Sequence, residues 1–449
     1  MKKVDFEHGT ITHNILQTAF PMLVAQVLNL LYSIVDRVYI GRIPGAGTEA
    51  LGAVGLCFPI IILVTGFTNM FGLGGAPLFS MALGQGNREK AIDIQNTALR
   101  LLVLVGAAIL LVGELLGDRI LLLFGATTEE LSLALPYLRI YLVGTIFIMV
   151  STGMNAYINA QGFPVIGMIS VTIGAASNLI LDPLFIFGWK LGVSGAAIAT
   201  VLSQLLSFLF VLTFLFGKRN EQPVCFAWRF PYAGAIMSLG LAPFIMQVTN
   251  SLVQIACNSV LMQYGGAVFV SIMTIVSSVR SILDVPVMAI TDGASPSISY
   301  NYGAGRPQNV RKAIRVMMAL ALPYTVVVWA LVMAVPQIFV RIFSEDAAIS
   351  EGASRALHLY FCAFVFQSFQ YSGQTVFKAL NKKGNAIFFS LFRKVILVVP
   401  LTFLLPAAAG LGTDGVFIAE PISNLIGGMA CFVTMLLTVL PELKRMAEK

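Results

Sequence analysis

Charge is what this sequence most lacks. Only 11% of its 449 residues are Asp, Glu, Lys or Arg, against 57% hydrophobic; a soluble domain carries about 25% charged residues. With a mean hydropathy of +0.87, a water-exposed globule is excluded. Cysteine is scarce too. The five residues Cys57, Cys225, Cys257, Cys362 and Cys431 are scattered without a CxxC spacing, which argues against a disulfide framework. His8, His13 and His358 form no metal-ligand spacing with them, so no structural transition-metal site is expected. Neither a P-loop, an HExxH nor a nucleophile elbow occurs, and the chain is expected to be no enzyme and to need no cofactor. No removable signal peptide is expected either. Lys2 and Lys3 lead into a polar stretch, and the first apolar run contains Gln26, Asn29 and Asp36 with no cleavage site.

What the chain does have is long apolar runs. A spanning helix needs roughly 20 apolar residues. Runs that long lie at roughly 15–40, 51–81, 95–116, 133–155, 165–187, 195–217, 232–263, 268–300, 315–336, 357–379, 386–406 and 415–440. The pattern predicts an all-α polytopic membrane protein with twelve transmembrane helices. An even number puts both termini on one side. Assigning each basic residue to its connection gives 20 on the side of the termini, Arg393 and Lys394 among them, and 6 on the other, with Arg37 and Arg280 inside spans. The positive-inside rule makes the richer side cytoplasmic. It also accounts for the net charge of +7 with no nucleic-acid partner.

The sequence repeats itself. PLFSMALGQGNREKAI (77–92) aligns with PSISYNYGAGRPQNVRKAI (296–314), matching Pro77 to Pro296, Gly84 to Gly303 and Gly86 to Gly305. LGVSGAAIATVLSQLL (191–206) aligns with LGTDGVFIAEPISNLI (411–426), matching Gly192 to Gly412, Gly195 to Gly415 and Ala199 to Ala419. The expected organisation is an N-lobe at 1–217, a cytoplasmic linker at 218–230 and a C-lobe at 231–449. With six helices each, the lobes are parallel repeats around a central cavity. Membrane proteins so built bind their cargo near the bilayer midplane and alternate access by rocking the repeats. A duplicated scaffold that moves nothing is the plainer reading, and ionisable groups inside the spans argue against it.

Those groups are few. A charge at the bilayer centre costs at least ~2.5–3.5 kcal/mol. Gln26, Asn29, Ser33 and Asp36 are spaced 3, 4 and 3 apart, so they form one polar stripe on the first helix. Asn178 and Asp182 stand at i and i+4 and share a face of the fifth. Pro183 removes an amide there and favours a kink. In the second half Gln247, Gln254 and Asn258 continue a polar stripe without an acid. Arg280 and Asp284 pair along one helix at i, i+4. Asp292 and Glu420 have no evident local partner. The repeat sets Asn258 opposite Asp36 and the uncharged 397–402 stretch opposite Asp182, so the first lobe is expected to be the charged one. FGLGG (71–75) reads as a close-packing segment rather than a phosphate cradle.

With these motifs assembled, the chain resembles the multidrug and toxic compound extrusion (MATE) transporters over nearly its whole length. The resemblance is carried by PMLVAQVLNLLYSIVDRVYIG, MALGQGNREKA, NYGAGRPQNVRKA, NLILDPLFI and GVSGAAIATVLSQ, and it fits the DinF- and MepA-like bacterial branch. It implies efflux of amphipathic, often cationic compounds in exchange for H⁺ or Na⁺, by a monomer in a bacterial cytoplasmic membrane. It also implies a cation site at Asp36, Asn178, Asp182 and Thr200. Gln26, Asn29, Ser33, Gln247, Gln254, Asn258 and Asp292 are candidates for the substrate cavity. The NorM-like branch has acids in its seventh and tenth helices. Here Gln247, Gln254, Asn258, Gln367 and Gln370 stand there instead. The alternative is a flippase for a lipid-linked precursor, which should show a basic cavity, whereas only Arg37 and Arg280 are assigned to the spans rather than to connections. An intramembrane enzyme would need a catalytic constellation that the sequence does not show.

Overall fold

The computed structural model describes residues 3–44, 47–217, 220–224, 229–343, 347–408 and 410–448. Lys2, Lys218, Arg219, Cys225 and Lys449 lie outside them, as does part of the expected linker. Every regular element among the described residues is helical. A backbone in hydrocarbon must satisfy its own hydrogen bonds, and a helix does so within one segment.

Seven helices fill the first half: α1 (Ile11–Gly41), α2 (Gly47–Gly84), α3 (Arg88–Leu123), α4 (Thr128–Val143), α5 (Thr145–Ala160), α6 (Pro164–Pro183) and α7 (Gly192–Leu215). Next, α8 (Ala233–Gly303) runs 71 residues, about 107 Å if straight and several times the ~30 Å of a bilayer core. Gly266, at φ 70° and ψ −167°, breaks it into two spans. The remainder comprises α9 (Pro307–Ala334), α10 (Pro336–Arg341), α11 (Ala347–Phe361), α12 (Phe366–Ala379), α13 (Lys383–Leu391), α14 (Val399–Ala408) and α15 (Thr413–Ala447). Helices α4 and α5 meet at a 50° bend at Gly144, so the expected 133–155 span is a broken one. The chain between α11 and α12 is likewise interrupted, by turns such as Phe364 N–H to Phe361 O at 2.9 Å. With the six-residue α10 too short to cross, counting α4–α5, α11–α12 and α13–α14 as one crossing each gives twelve.

The repeat extends to backbone detail. After α2, the Gly86 amide bonds to Leu83 O and the Asn87 amide to Ala82 O, both at 3.0 Å. After α8, Gly305 bonds to Tyr302 O at 3.2 Å and Arg306 to Asn301 O at 2.9 Å. Gly86 and Gly305 sit at φ 71° and 66°, the left-handed helix ending that glycine adopts without steric penalty. Pro183 cannot donate to the preceding turn. The chain answers with a π turn over Leu184–Gly188 rather than a simple kink. A second π turn, Phe392–Val398, joins α13 to α14. A Cβ at Gly195 would lie 2.7 Å from Phe185 O, and one at Gly415 2.7 Å from Pro406 N. Both halves thus press the next helix directly onto the backbone of the π-broken one. In FGLGG, a Cβ on Gly72 would stand 3.0 Å from Gly153 O, so this segment does serve close packing.

Two compact units emerge. Unit 1 comprises 1–4 and 24–244, and unit 2 comprises 5–23 and 245–449. The core of unit 1 includes Ile40, Cys57, Tyr137, Tyr141, Ile186 and Val193; that of unit 2 includes Val253, Val328, Phe361, Phe364 and Phe417.

Gly195→Leu and Gly415→Leu should each lower the unfolding temperature in detergent, at a cost of about 1–3 kcal/mol or more. Gly55→Ala, whose new Cβ meets nothing within 4 Å, should leave it unchanged or raise it. Fluorescence-detected thermal unfolding checks the contrast.

Candidate functional site

Unit 1 brings Asp36, Asn178, Asp182 and Thr200 together. Asp182, at the end of α6 just before the π turn, and Asn178, one turn earlier, are 0% and 1% exposed. The Asn178 amide donates Nδ2–H to Asp182 Oδ1 at 3.1 Å and to Thr200 Oγ1, on α7, at 3.4 Å. From α1, the half-buried Asp36 brings its carboxyl within hydrogen-bonding reach of Asp182. Two carboxylates cannot bond to each other unless a proton lies between them. Asp36 Oδ1 and Asp182 Oδ2 are buried and receive no hydrogen bond from the described residues, and neither acid forms an ion pair among them. Arg37 stands over the Phe58 ring, 5.0 Å from its centroid. The pair is suited to hold one positive charge, a proton or a small cation.

Tyr32 was missed by the sequence reading. Its hydroxyl reaches Thr200, and its place four residues before Asp36 on α1 puts it on the same face. Of the rest of that stripe, Gln26 has a buried Oε1 without a donor, Ser33 is half-buried and Asn29 is exposed. None of the three bonds to the acid pair among the described residues. In unit 2, Gln254 donates to Asn258 Oδ1 at 3.1 Å and accepts from Ser277 at 3.2 Å. Gln247 is half-buried and does not join that chain.

Two expectations need correction, that the first lobe is the charged one and that Arg393 and Lys394 belong to the cytoplasmic side. Glu420 has no local partner but finds distant ones: Oε1 accepts from Arg280 at 2.6 Å, from Arg393 at 3.0 Å and from Lys394 at 3.0 Å. Asp292 faces Lys378 at 3.9 Å. Arg393 and Lys394 are buried, at 4% and 6% exposure, and so leave the cytoplasmic tally without reversing it. The second half therefore carries the denser charge, and the first is distinguished by unpaired acids instead. Arg280 and Asp284 do pair along α8, at 3.2 Å. Of the acids near span ends, Glu114 lies 3.7 Å from Arg139 and is 37% exposed, and Asp414 pairs with Arg355.

Comparison with known proteins fits this layout. The MatE family model matches residues 21–184 and 243–404, one stretch in each half and well over half the chain. The chain belongs to the MatE family. Members of this family are membrane transporters and not enzymes. The multidrug export protein MepA of Staphylococcus aureus (strain MRSA252) is 25% identical over 411 residues, 90% of each chain. An outward-facing multidrug resistance MATE transporter of the MOP superfamily superposes with a TM-score of 0.92 at 23% identity, covering 99% of each chain. A MATE transporter in a bent conformation also gives 0.92 at 23%, covering 100% of each. The MatE chain described here thus has the twelve-helix, two-lobed fold of those structures.

The two charge clusters should respond oppositely to neutralisation. Glu420→Gln leaves Arg393 and Lys394 buried without an acidic partner and should destabilise the protein by about 3–5 kcal/mol. Asp182→Asn should leave stability unchanged or raise it, because a buried carboxylate without a cationic partner opposes folding. Thermal unfolding of both variants in one detergent distinguishes them.

Proposed function

We propose that this MatE protein is a secondary active exporter of amphipathic, often cationic compounds, driven by inward flow of protons through the Asp36–Asp182 pair. The observation that carries this reading is the approach of two membrane-embedded carboxyls that have no basic partner among the described residues. Such a pair resists double ionisation, since each charge raises the cost of the other. The naming of the Staphylococcus relatives as multidrug export proteins supports the substrate class.

Asn178 favours the proton over Na⁺. Its donor end faces both Asp182 and Thr200, whereas a sodium ion in the same place would need its carbonyl oxygen turned inward. With one proton between them, Asp36 and Asp182 tie α1 to α6. Once ionised they repel, and α1 is released to another packing. A substrate that prefers the ionised arrangement and a proton that prefers the joined one expel each other, which is antiport by linkage. Asn178, Thr200 and Tyr32 orient the pair. The protein acts as a monomer in a bacterial cytoplasmic membrane, with both termini in the cytoplasm, as the excess of basic residues on that side supports.

Asp36→Asn and Asp182→Asn should each abolish export of a cationic dye from proteoliposomes under a pH gradient, at matched incorporation. A Na⁺ gradient alone should not drive the native protein. Full transport by either variant, or transport driven by Na⁺ alone, would refute proton coupling through this pair.

A further inference from the structure

Unit 2 holds a cavity of about 220 Å³, lined by Arg280, Asp284, Arg393, Lys394 and Glu420 and by apolar and aromatic groups that include Met273 and Tyr360. It takes no part in the proton reading. Three basic side chains here face two acidic ones, and the Arg393 and Lys394 side chains are only 5% and 7% exposed. A buried charge without a counterpart is costly.

The hydrogen bonds show the same imbalance. Among the described residues, the Arg393 side chain donates only from Nη1, to Glu420, Gln367 and Asn424. Arg280 uses Nε and Nη1, for Asp284, Tyr360 and Glu420. Nη2 of each guanidinium has no acceptor among the described residues. Beside them, Gln367 Nε2 is a buried donor with no acceptor. The cluster is short of acceptors and, with Lys394 protonated, of one negative charge. Asp284 Oδ1 is a buried acceptor without a donor, and it would repel a second negative charge, so the site suits a monoanion. Met273, Val253 and Val416 in the lining suit an apolar body behind the charged head.

We propose that this cavity binds a singly charged oxyanion, a carboxylate or phosphodiester, carried on an apolar body. The transporter would then take anionic or zwitterionic amphiphiles as well as cations. The substrate's export rests on the efflux reading above, but its binding does not, so binding is tested without gradients. A dansyl-labelled undecanoate should bind the purified protein in maltoside micelles saturably. Its methyl ester and its trimethylammonium analogue should not compete.

Lys394→Met leaves Arg280 and Arg393 balanced by Asp284 and Glu420, so the variant should fold, as thermal unfolding will report. It should weaken undecanoate binding by about 30-fold or more, and Lys394→Arg should restore it. Because binding is read without a gradient, its failure leaves the proton reading standing. Dioctanoyl phosphatidylglycerol, tested against dioctanoylglycerol, distinguishes the two sources of the ligand. Saturable, Lys394-dependent binding of that lipid alone assigns the site to a lipid headgroup, and of the undecanoate to an exported solute; either supports an oxyanion site. Equal affinity for undecanoate and its ester, or undecanoate binding that Lys394→Met leaves intact, would show that the cluster is satisfied without an anion and would overturn the proposal.

Discussion

Two carboxyl groups facing each other in a low-dielectric interior impose a condition that no ion pair among the described residues relieves. Asp36 and Asp182 are within hydrogen-bonding reach, and no described cation pairs with either. In such surroundings the arrangement exists only with a positive charge between the acids. The surrounding structure serves that contact. The π turn after Pro183 follows directly on Asp182. Gly195 lets α7 close against it and brings Thr200 up to Asn178. Ile40, Tyr137, Tyr141 and Ile186 form an apolar core that adjoins both acid-bearing helices.

The two halves share their backbone devices and differ in what fills them. Each has a left-handed glycine ending after its second span, a π turn and a glycine pressed onto the broken helix. Unit 1 fills its interior with acids that lack basic partners, so its charge state can change. Unit 2 fills its own with Arg280, Arg393 and Lys394 around Glu420, and those carboxylate oxygens are already taken. The cost of removing a charge separates the two uses. A satisfied cluster loses stability when a partner is deleted, whereas an unsatisfied pair gains it.

Local sequence pattern was enough to place the spans, the repeat and the three polar residues Asp36, Asn178 and Asp182 of unit 1, whereas Thr200 entered only through the family resemblance. Asn178 and Asp182 are one turn apart, and Asp36 interrupts an apolar helix. Tyr32 escaped notice because an aromatic in a span reads as lipid-facing until its hydroxyl is seen to reach Thr200. Arg393 and Lys394 were misplaced for another reason. They follow Lys382 and Lys383 closely enough that long side chains could extend to the aqueous edge. Yet they lie about 15 Å into the helix, near the depth of the midplane. Their partners Gln367, Glu420 and Asn424 come from α12 and α15, tens of residues away, and no local periodicity reports such a contact.

The central claim is that the Asp36–Asp182 pair holds one exchangeable proton which substrate displaces. Proton release on adding a cationic dye to the purified protein in weakly buffered detergent solution measures it directly. The account predicts release of about one proton per protein from the native chain, and none from Asp36→Asn or Asp182→Asn. Dye binding without proton release from the native protein, or equal release from both variants, would contradict it.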